Sequence, residues 1–405
     1  TVILAELNTY GSYNTIPNDP CYINQWYHHD ETVEKGIDSY KAWDKQTGNT
    51  EIKIAVLDSG TDFWHDDLIE NIWVNKVEDI DGDGVAWDLE DINGIDDDCN
   101  GFIDDIIGWD FGNNNNAITG PYFHGTFVAG VAGASTNNNK GVAGTAGGWG
   151  DKKGCILQII QIGDDAPSAE ILDDAILYAA INGARVITMS LGVGYSTAIY
   201  DAIETAYDQY NCFITCASGN TYPTASNYSV AFPARNPFVV AVGATDKNGM
   251  RAPFSNYGTG LRVVAPGIDI WSTTKNNSYF TGDGTSTSSP QVAGVAGMIA
   301  SRYPNFRNSD IMKVICLTTQ KLPNYLYNTN KEYGTWNEEV GYGKLNADRA
   351  LGITGNISSP QTLVEGNYIC GQEVILTNKA TMTCDMNSRT YLYEQTYLKI
   401  QAGST

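Results

Sequence analysis

Three features of this chain predict an α/β fold, a doubly wound parallel sheet. Runs at 52–57, 155–162, 186–191, 212–217 and 238–242 are almost wholly apolar and rich in β-branched residues. Strands covered on both faces read as such continuous runs, whereas half-exposed strands alternate. Helical patterns lie between them at 124–133, 168–182 and 198–207, and a further one runs on from Ser286. Strands alternating with helices specify a parallel sheet. Finally, Asp58 stands at the end of the first run and Asn220 just beyond the fourth. The carboxyl ends of the strands are where open α/β sheets bind ligands.

In chain order, residues 1–40 are polar, aromatic and without clear period, and are expected to form an arm packed on the main domain. A short helix is expected at 39–44, before the turn at Gly48-Asn49. Residues 41–352 carry the strand and helix alternation, interrupted by an acidic insertion at about 76–110. Helix 168–182 has Gly183 as its stop signal. The region 353–405 changes to short β-like runs at 374–377, 390–393 and 397–400, which predict a small C-terminal β appendage. Cys370 and Cys384 flank a plausible hairpin there and are candidates to pair.

A chain of 405 residues can form one large domain plus something small. Its formal charge of −23 argues against a nucleic-acid partner, since polyanions repel. No apolar run approaches the roughly 18 residues of a membrane span. The start Thr1-Val-Ile-Leu-Ala lacks the basic and long apolar segments of a signal peptide, so the chain reads as cytosolic or as a processed form. Eight cysteines are few for a disulfide scaffold at this length, and no C-x-x-C pair suggests a thiolate zinc site.

Much of the negative charge falls between Glu78 and Asp110. Asp79, Asp81 and Asp83, Gly84, Val85 and Glu90 occupy the positions of a twelve-residue calcium loop: oxygens at one, three and five, glycine at six, a backbone carbonyl at seven and glutamate at twelve. Asp96, Asp98, Asn100, Gly101, Phe102 and Asp104 repeat the first nine positions, with Ile107 where the glutamate belongs. Neither loop is flanked by long amphipathic helices. The expectation is isolated structural Ca2+ sites, set against the alternative of a solvated acidic turn.

The run from Gly282 to Gly297 delivers Ser286 to the start of a helix rich in Ala and Gly, with Pro290 expected in its first turn. Alone, such a loop is more simply a helix cap. His124 opens another small-residue helix. Together Asp58, His124 and Ser286 supply the carboxylate, imidazole and hydroxyl that acyl transfer needs, and Asn220 supplies an amide donor for an oxyanion.

The surrounding motifs resemble those of the subtilisin-like serine peptidases. Ala-Val-Leu-Asp58-Ser-Gly-Thr, His124-Gly-Thr-Phe-Val-Ala-Gly and Gly284-Thr-Ser286-Thr-Ser-Ser-Pro290 are similar to the family's aspartate, histidine and serine motifs, in the family's order. Ala217-Ser-Gly-Asn220 is similar to the segment bearing the oxyanion asparagine, and Ser190-Leu191-Gly192 to the strand that pairs with substrate. The likeness covers about 20–350. It implies an endopeptidase forming an acyl-enzyme on Ser286, with His124 as base and then acid, Asp58 orienting it, and Asn220 with the Ser286 N–H as oxyanion hole. It further implies a peptide or protein substrate, a monomer, secretion to the exterior, and an N-terminal pro-region removed on maturation. Asp67 matches the carboxylate of a common family calcium site, with Asn137 and the 135–142 loop as its companions. Ala231 looks like the small wall of the first specificity pocket, leaving room for a large apolar side chain.

Two departures stand near the site: Phe127 where many members carry a second histidine, and Thr287-Ser288-Ser289 for a Met-Ala/Ser-Ala/Ser run. Both bear on specificity more than on activity. The competing readings are a catalytically silent member that binds peptide or a surface partner, and a calcium-dependent adhesive protein.

Overall fold

A computed structural model describes residues 16–29, 35–164, 167–221 and 228–352 with side chains, and the strands between 353 and 400 as backbone. Seven strands form one sheet: β1 (Lys53–Asp58), β2 (Gly108–Asp110), β3 (Ile156–Gln161), β4 (Val186–Met189), β5 (Phe213–Ala217), β6 (Val239–Thr245) and β7 (Leu261–Pro266). Their order is β2-β3-β1-β4-β5-β6-β7, and every pairing is parallel. After β1 the chain builds to one side through β2 and β3, then crosses to β4 on the other. The switch in direction therefore lies at β1 and β4, where an open α/β sheet leaves a crevice.

Strand alternation sends successive side chains to opposite faces. Ile54 and Val56 join one buried cluster with Val128, Ala132, Val292 and Ala296. Ala55 and Leu57 join another with Ile176, Ala179, Ile199 and Ile203. The first face is covered by α1 (His124–Gly133) and α4 (Thr285–Arg302), with α5 (Asn308–Leu317) behind; the second by α2 (Leu172–Ile181) and α3 (Thr197–Asp208). Helices on both faces make this the doubly wound sheet expected from the sequence. Helix α4 is buried on all sides from Thr285 to Ala300. Its small residues permit that: a Cβ added at Gly294 would meet the Thr145 Cβ at 2.5 Å.

Elements absent from the sequence prediction include β2, β7, α5 and an antiparallel hairpin, β8 (Ile270–Thr274) with β9 (Ser278–Gly282). The hairpin lies along α1, with Ser272 and Thr273 hydroxyls donating to the Phe127 and Thr126 carbonyls at 2.7 Å each. Described residues of the N-terminal arm pack here too: the Trp26 indole donates to the Ile268 carbonyl, and Gln25 and Tyr27 to that of Trp271.

Beyond 352, strands Ile353–Ile357, Gly366–Leu376, Ser388–Leu392 and Tyr397–Ile400 pair in parallel, as do Gln361–Leu363 and Met382–Cys384. The β character is as expected, but not the hairpin between Cys370 and Cys384. The strands that carry Cys370 and Cys384 lie in different pairings, and every pairing among the described strands of this region is parallel. The side chains of Cys370 and Cys384 lie outside the described ones.

Candidate active site

Asp58 is the last residue of β1, and its side chain is buried. The Ser59 N–H donates to Asp58 Oδ1 at 2.8 Å, and His124 Nδ1 lies 2.7 Å from the same oxygen. His124 opens α1, and the helix can come this close only because Gly125 follows: a Cβ there would sit 2.0 Å from the Gly60 carbonyl oxygen. Attraction to Asp58 raises the His124 pKa above the usual imidazole value, although burial opposes the rise. A carboxylate on Nδ1 also fixes the neutral tautomer, leaving Nε2 as the basic nitrogen.

Ser286 is the second residue of α4 and is buried. Gly284 just before it has φ +152, and a Cβ at that position would lie 2.7 Å from Ser286 Oγ and 3.4 Å from Asn220 Nδ2. Hydroxyl and amide thus border the same small space. The amide is oriented by Thr285, whose N–H and Oγ1 both donate to Asn220 Oδ1 at 2.9 Å. With its carbonyl end so engaged, Asn220 turns its NH₂ end toward the Gly284–Ser286 backbone. Thr285 escaped the sequence reading, because nothing in a threonine beside a glycine signals that task.

Helix α4 begins at Thr285, so Pro290 is its sixth residue and lies inside the helix rather than in its first turn. Thr287, Ser288 and Ser289 are buried. Their hydroxyls are spent internally: Thr287 on the Gly284 carbonyl, Ser288 on Ala265 and Pro266, and Ser289 against Thr188 and Thr215. This departure from the family motif belongs to helix packing, not to a substrate surface. Phe127 likewise faces inward, clustered with Trp26, Tyr27, Val131 and Ile270.

Ser190 follows β4, and its hydroxyl donates to the Ser286 carbonyl at 2.8 Å. Leu191 is half-buried. Gly192 faces Ala231, whose Cβ would lie 3.4 Å from a Cβ added at Gly192 and 3.2 Å from one at Gly219. A bridge between Val193 and Phe232 holds the two segments together. Gly192 and Gly219 therefore both pack on Ala231, which brings the segment after Ser190 beside the one that carries Asn220.

In the acidic insertion the carboxylates that converge differ from the set the spacing predicts. Asp79, Asp81 and Asp91 gather in one cluster, Asp81, Asp83 and Asp88 in a second, and Glu78, Asp98 and Asp105 in a third; within each, one ligand oxygen per residue lies within 4.8 Å of the others. Asp79 accepts from the Gly82 and Gly84 N–H groups, and Asp83 from Val85, which curls the loop as its glycines suggest. Glu90 is exposed and stands outside all three clusters, and the neighbouring Asp91, buried and tied to the Ile80 N–H, comes inward instead. Asp96 is spent on the Asn100 and Gly101 N–H groups, and Asp104 on those of Asn93 and Gly94. Asp105 takes the inward place beside Asp98, and Asn100 donates to both. The Phe102 ring anchors the loop against Trp109, Phe111 and Tyr178.

Two oxygens here, Glu78 Oε2 and Asp91 Oδ2, are buried and accept no hydrogen bond. Burial pushes the Glu78 carboxyl up to about 7 and that of Asp105 up to about 6, and raises Asp91. Buried carboxylates without a cationic side chain beside them are costly. A divalent cation with oxygen ligands fits this donor set.

Asp67 is buried, with its oxygens bonded to Asn138 Nδ2 and the Val142 N–H at 2.8 Å each. The Asn137 side chain turns to Asn18 instead. A second buried carboxylate, Asp19, accepts from the Asn137 and Asn138 N–H groups, and burial lifts it to about 6. Asp19 lies too far from Asp67 in the chain for any local motif to have paired them.

The family model of the subtilases matches residues 49–343. Among curated relatives, the thermophilic serine proteinase of Bacillus sp. (strain AK1) is 34% identical over 350 residues, covering 86% of this chain and 72% of the relative. The extracellular protease of Xanthomonas campestris pv. campestris is 34% identical over 355 residues, 83% of this chain and 56% of the relative. A solved protease structure from Pseudoalteromonas arctica superposes with a TM-score of 0.62 at 28% identity, covering 83% of this chain and 98% of that one. The chain belongs to the subtilase family and is a subtilisin-like serine endopeptidase.

Proposed function

We propose that this protein cleaves peptide bonds through an acyl-enzyme on Ser286, using Asp58, His124 and Asn220. The observation that carries the reading is the 2.7 Å contact between His124 Nδ1 and the buried Asp58 carboxylate at the sheet's carboxyl edge. With Nδ1 engaged, His124 Nε2 takes the Ser286 proton as Oγ attacks the substrate carbonyl. Asp58 stabilises the imidazolium that results, without itself becoming protonated. Charge developing on the carbonyl oxygen is met by Asn220 Nδ2 and the Ser286 N–H, worth roughly 2.7–4 kcal/mol per side-chain donor, a figure that comes from a subtilisin. His124 then returns its proton to the leaving amine, and water repeats the sequence in reverse.

Substrate would lie along Ser190–Gly192, with its first side chain in a recess walled by Ala231. Residues 41–352 would form the catalytic unit, 1–40 its arm and 353–405 an appendage. Asp79, Asp81 and Asp91 would hold one calcium ion, and Glu78, Asp98 and Asp105 another; Asp19, Asp67 and the Asn137 loop are candidates for a third. Such an ion supplies positive charge to buried carboxylates and holds the insertion on the sheet. Secretion, with loss of a pro-region, is the setting in which sites of modest affinity fill. The test is labelling by a fluorophosphonate, with and without chelator. Labelling lost in Ser286→Ala is expected; an unlabelled parent would refute the reading.

A further inference from the structure

Proline has no N–H, so Pro290 cannot give the Ser286 carbonyl the i+4 hydrogen bond that an α-helix normally supplies. That carbonyl belongs to the nucleophile's own residue, and it lies in a buried stretch where an unpaired acceptor is unfavourable. The missing donor comes from outside the helix: Ser190 Oγ at 2.8 Å. Ser190 is itself buried and follows directly on β4. Three residues further along α4 a second hydroxyl contact repeats the pattern, with Ser289 Oγ 3.4 Å from Thr188 Oγ1 and 3.2 Å from Thr215 Oγ1. The first turns of α4 are thus set against β4, the residue after it and the middle of β5 by side-chain hydroxyls.

We propose that Ser190 is a positioning residue for the nucleophile, its hydroxyl replacing at the Ser286 carbonyl the backbone donor that Pro290 removes. The inference rests on the reading of Ser286 as nucleophile. A proline at 290 frees the carbonyl from the helix, and the serine ties it to the strand end. The same strand end borders the recess proposed for substrate. Peptide seated along 190–192 therefore meets a segment already bonded to the residue that attacks it, and the pose of Ser286 is held from the substrate side as well as from its helix.

A double-mutant cycle on the full chain tests this. Ser190→Ala is expected to lower kcat on a short peptide substrate about tenfold with KM within about twofold, and to slow fluorophosphonate labelling equally. Pro290→Ala restores an N–H opposite the Ser286 carbonyl. In that background removal of the Ser190 hydroxyl is expected to cost less than about twofold. Equal losses in the two backgrounds, or no loss in Ser190→Ala, would overturn the proposal. Should Ser190→Ala not fold, Ser190→Thr, which keeps the donor, is compared with its isostere Ser190→Val; equal kcat in that pair would overturn it too. An unlabelled parent refutes the nucleophile itself, a different failure from a labelled parent indifferent to Ser190.

Discussion

The strand edge and the acidic insertion both bury carboxylates, and they solve the resulting problem in opposite ways. Asp58 has a partner from its own chain, His124, whose pKa rises in answer. Glu78 and Asp91 each keep one buried oxygen with no hydrogen bond, and their own pKa values rise instead. A buried acid hydrogen-bonded to an imidazole of its own chain can work as an electrostatic element. One without such a partner takes up a proton or waits for a cation from solution. One region joins its acid to a base of the same chain, and the other gathers oxygens that fit a divalent cation.

Breaking the first pair carries the largest expected effect. Asp58→Asn leaves the fold intact but removes the charge that fixes the His124 tautomer, and kcat is expected to fall by about 10⁴ in a steady-state peptide assay. The same enzyme sharpens the pH argument. His124 must be neutral to accept a proton and Asp58 raises its pKa, so the acid limb of kcat/KM in the parent is expected above the ordinary value of about 6.5. In Asp58→Asn that limb moves to lower pH; an unmoved limb would remove His124 from its role. Next in size is Asn220→Ala, with an expected loss of about 10²–10³ in kcat and little change in KM. A change in KM alone would mean that Asn220 binds substrate rather than the oxyanion.

The insertion predicts a different signature, read in stability. Glu78 and Asp105 have folded pKa values raised to about 7 and about 6, so protonation favours the fold. In chelator, their contribution is fully present below pH about 4 and is lost as pH rises through 6 and 7. Calcium should therefore raise Tm most above pH 7, by an amount equivalent to about 2.7 kcal/mol when its concentration is a hundred times Kd. The smallest effect is local: Glu78→Gln is expected to reduce this calcium-dependent rise at pH 8 and to raise Tm in chelator. The same calcium response in mutant and parent, followed by scanning calorimetry, would take Glu78 out of the site.

How much of this could be read from the chain depended on how local each signal was. Asp58, His124 and Ser286 were legible because each sits in a short motif whose strand or helix is visible in the same dozen residues. Strand β2 was not, since Gly108-Trp-Asp110 is three residues long and owes its place to β3. The calcium-loop spacing pointed to Glu90, whereas the acid that gathers with Asp79 and Asp81 is Asp91, because spacing cannot tell which of two adjacent acids turns inward. The Ile80 N–H decides it, by holding Asp91. Pro290 was legible as a helix residue but not as an interior one, for the helix begins at Thr285, inside a run that reads as loop. Thr285 and Asp19 act on partners dozens of residues distant, beyond the reach of any local pattern.

Glu78 and Asp79 are neighbours in the chain yet belong to different clusters, and both their N–H groups donate to the Asn75 carbonyl at 3.0 Å. The Asn75 side chain in turn donates to Asp98 and Asp105 at 2.9 Å each. One asparagine thus acts as a common joint for two carboxylate clusters. If both take calcium, filling either one stiffens the joint and lowers the ordering cost of the other. The insertion would then respond to falling calcium as a single latch, letting go over a narrow range of concentration rather than loosening by degrees.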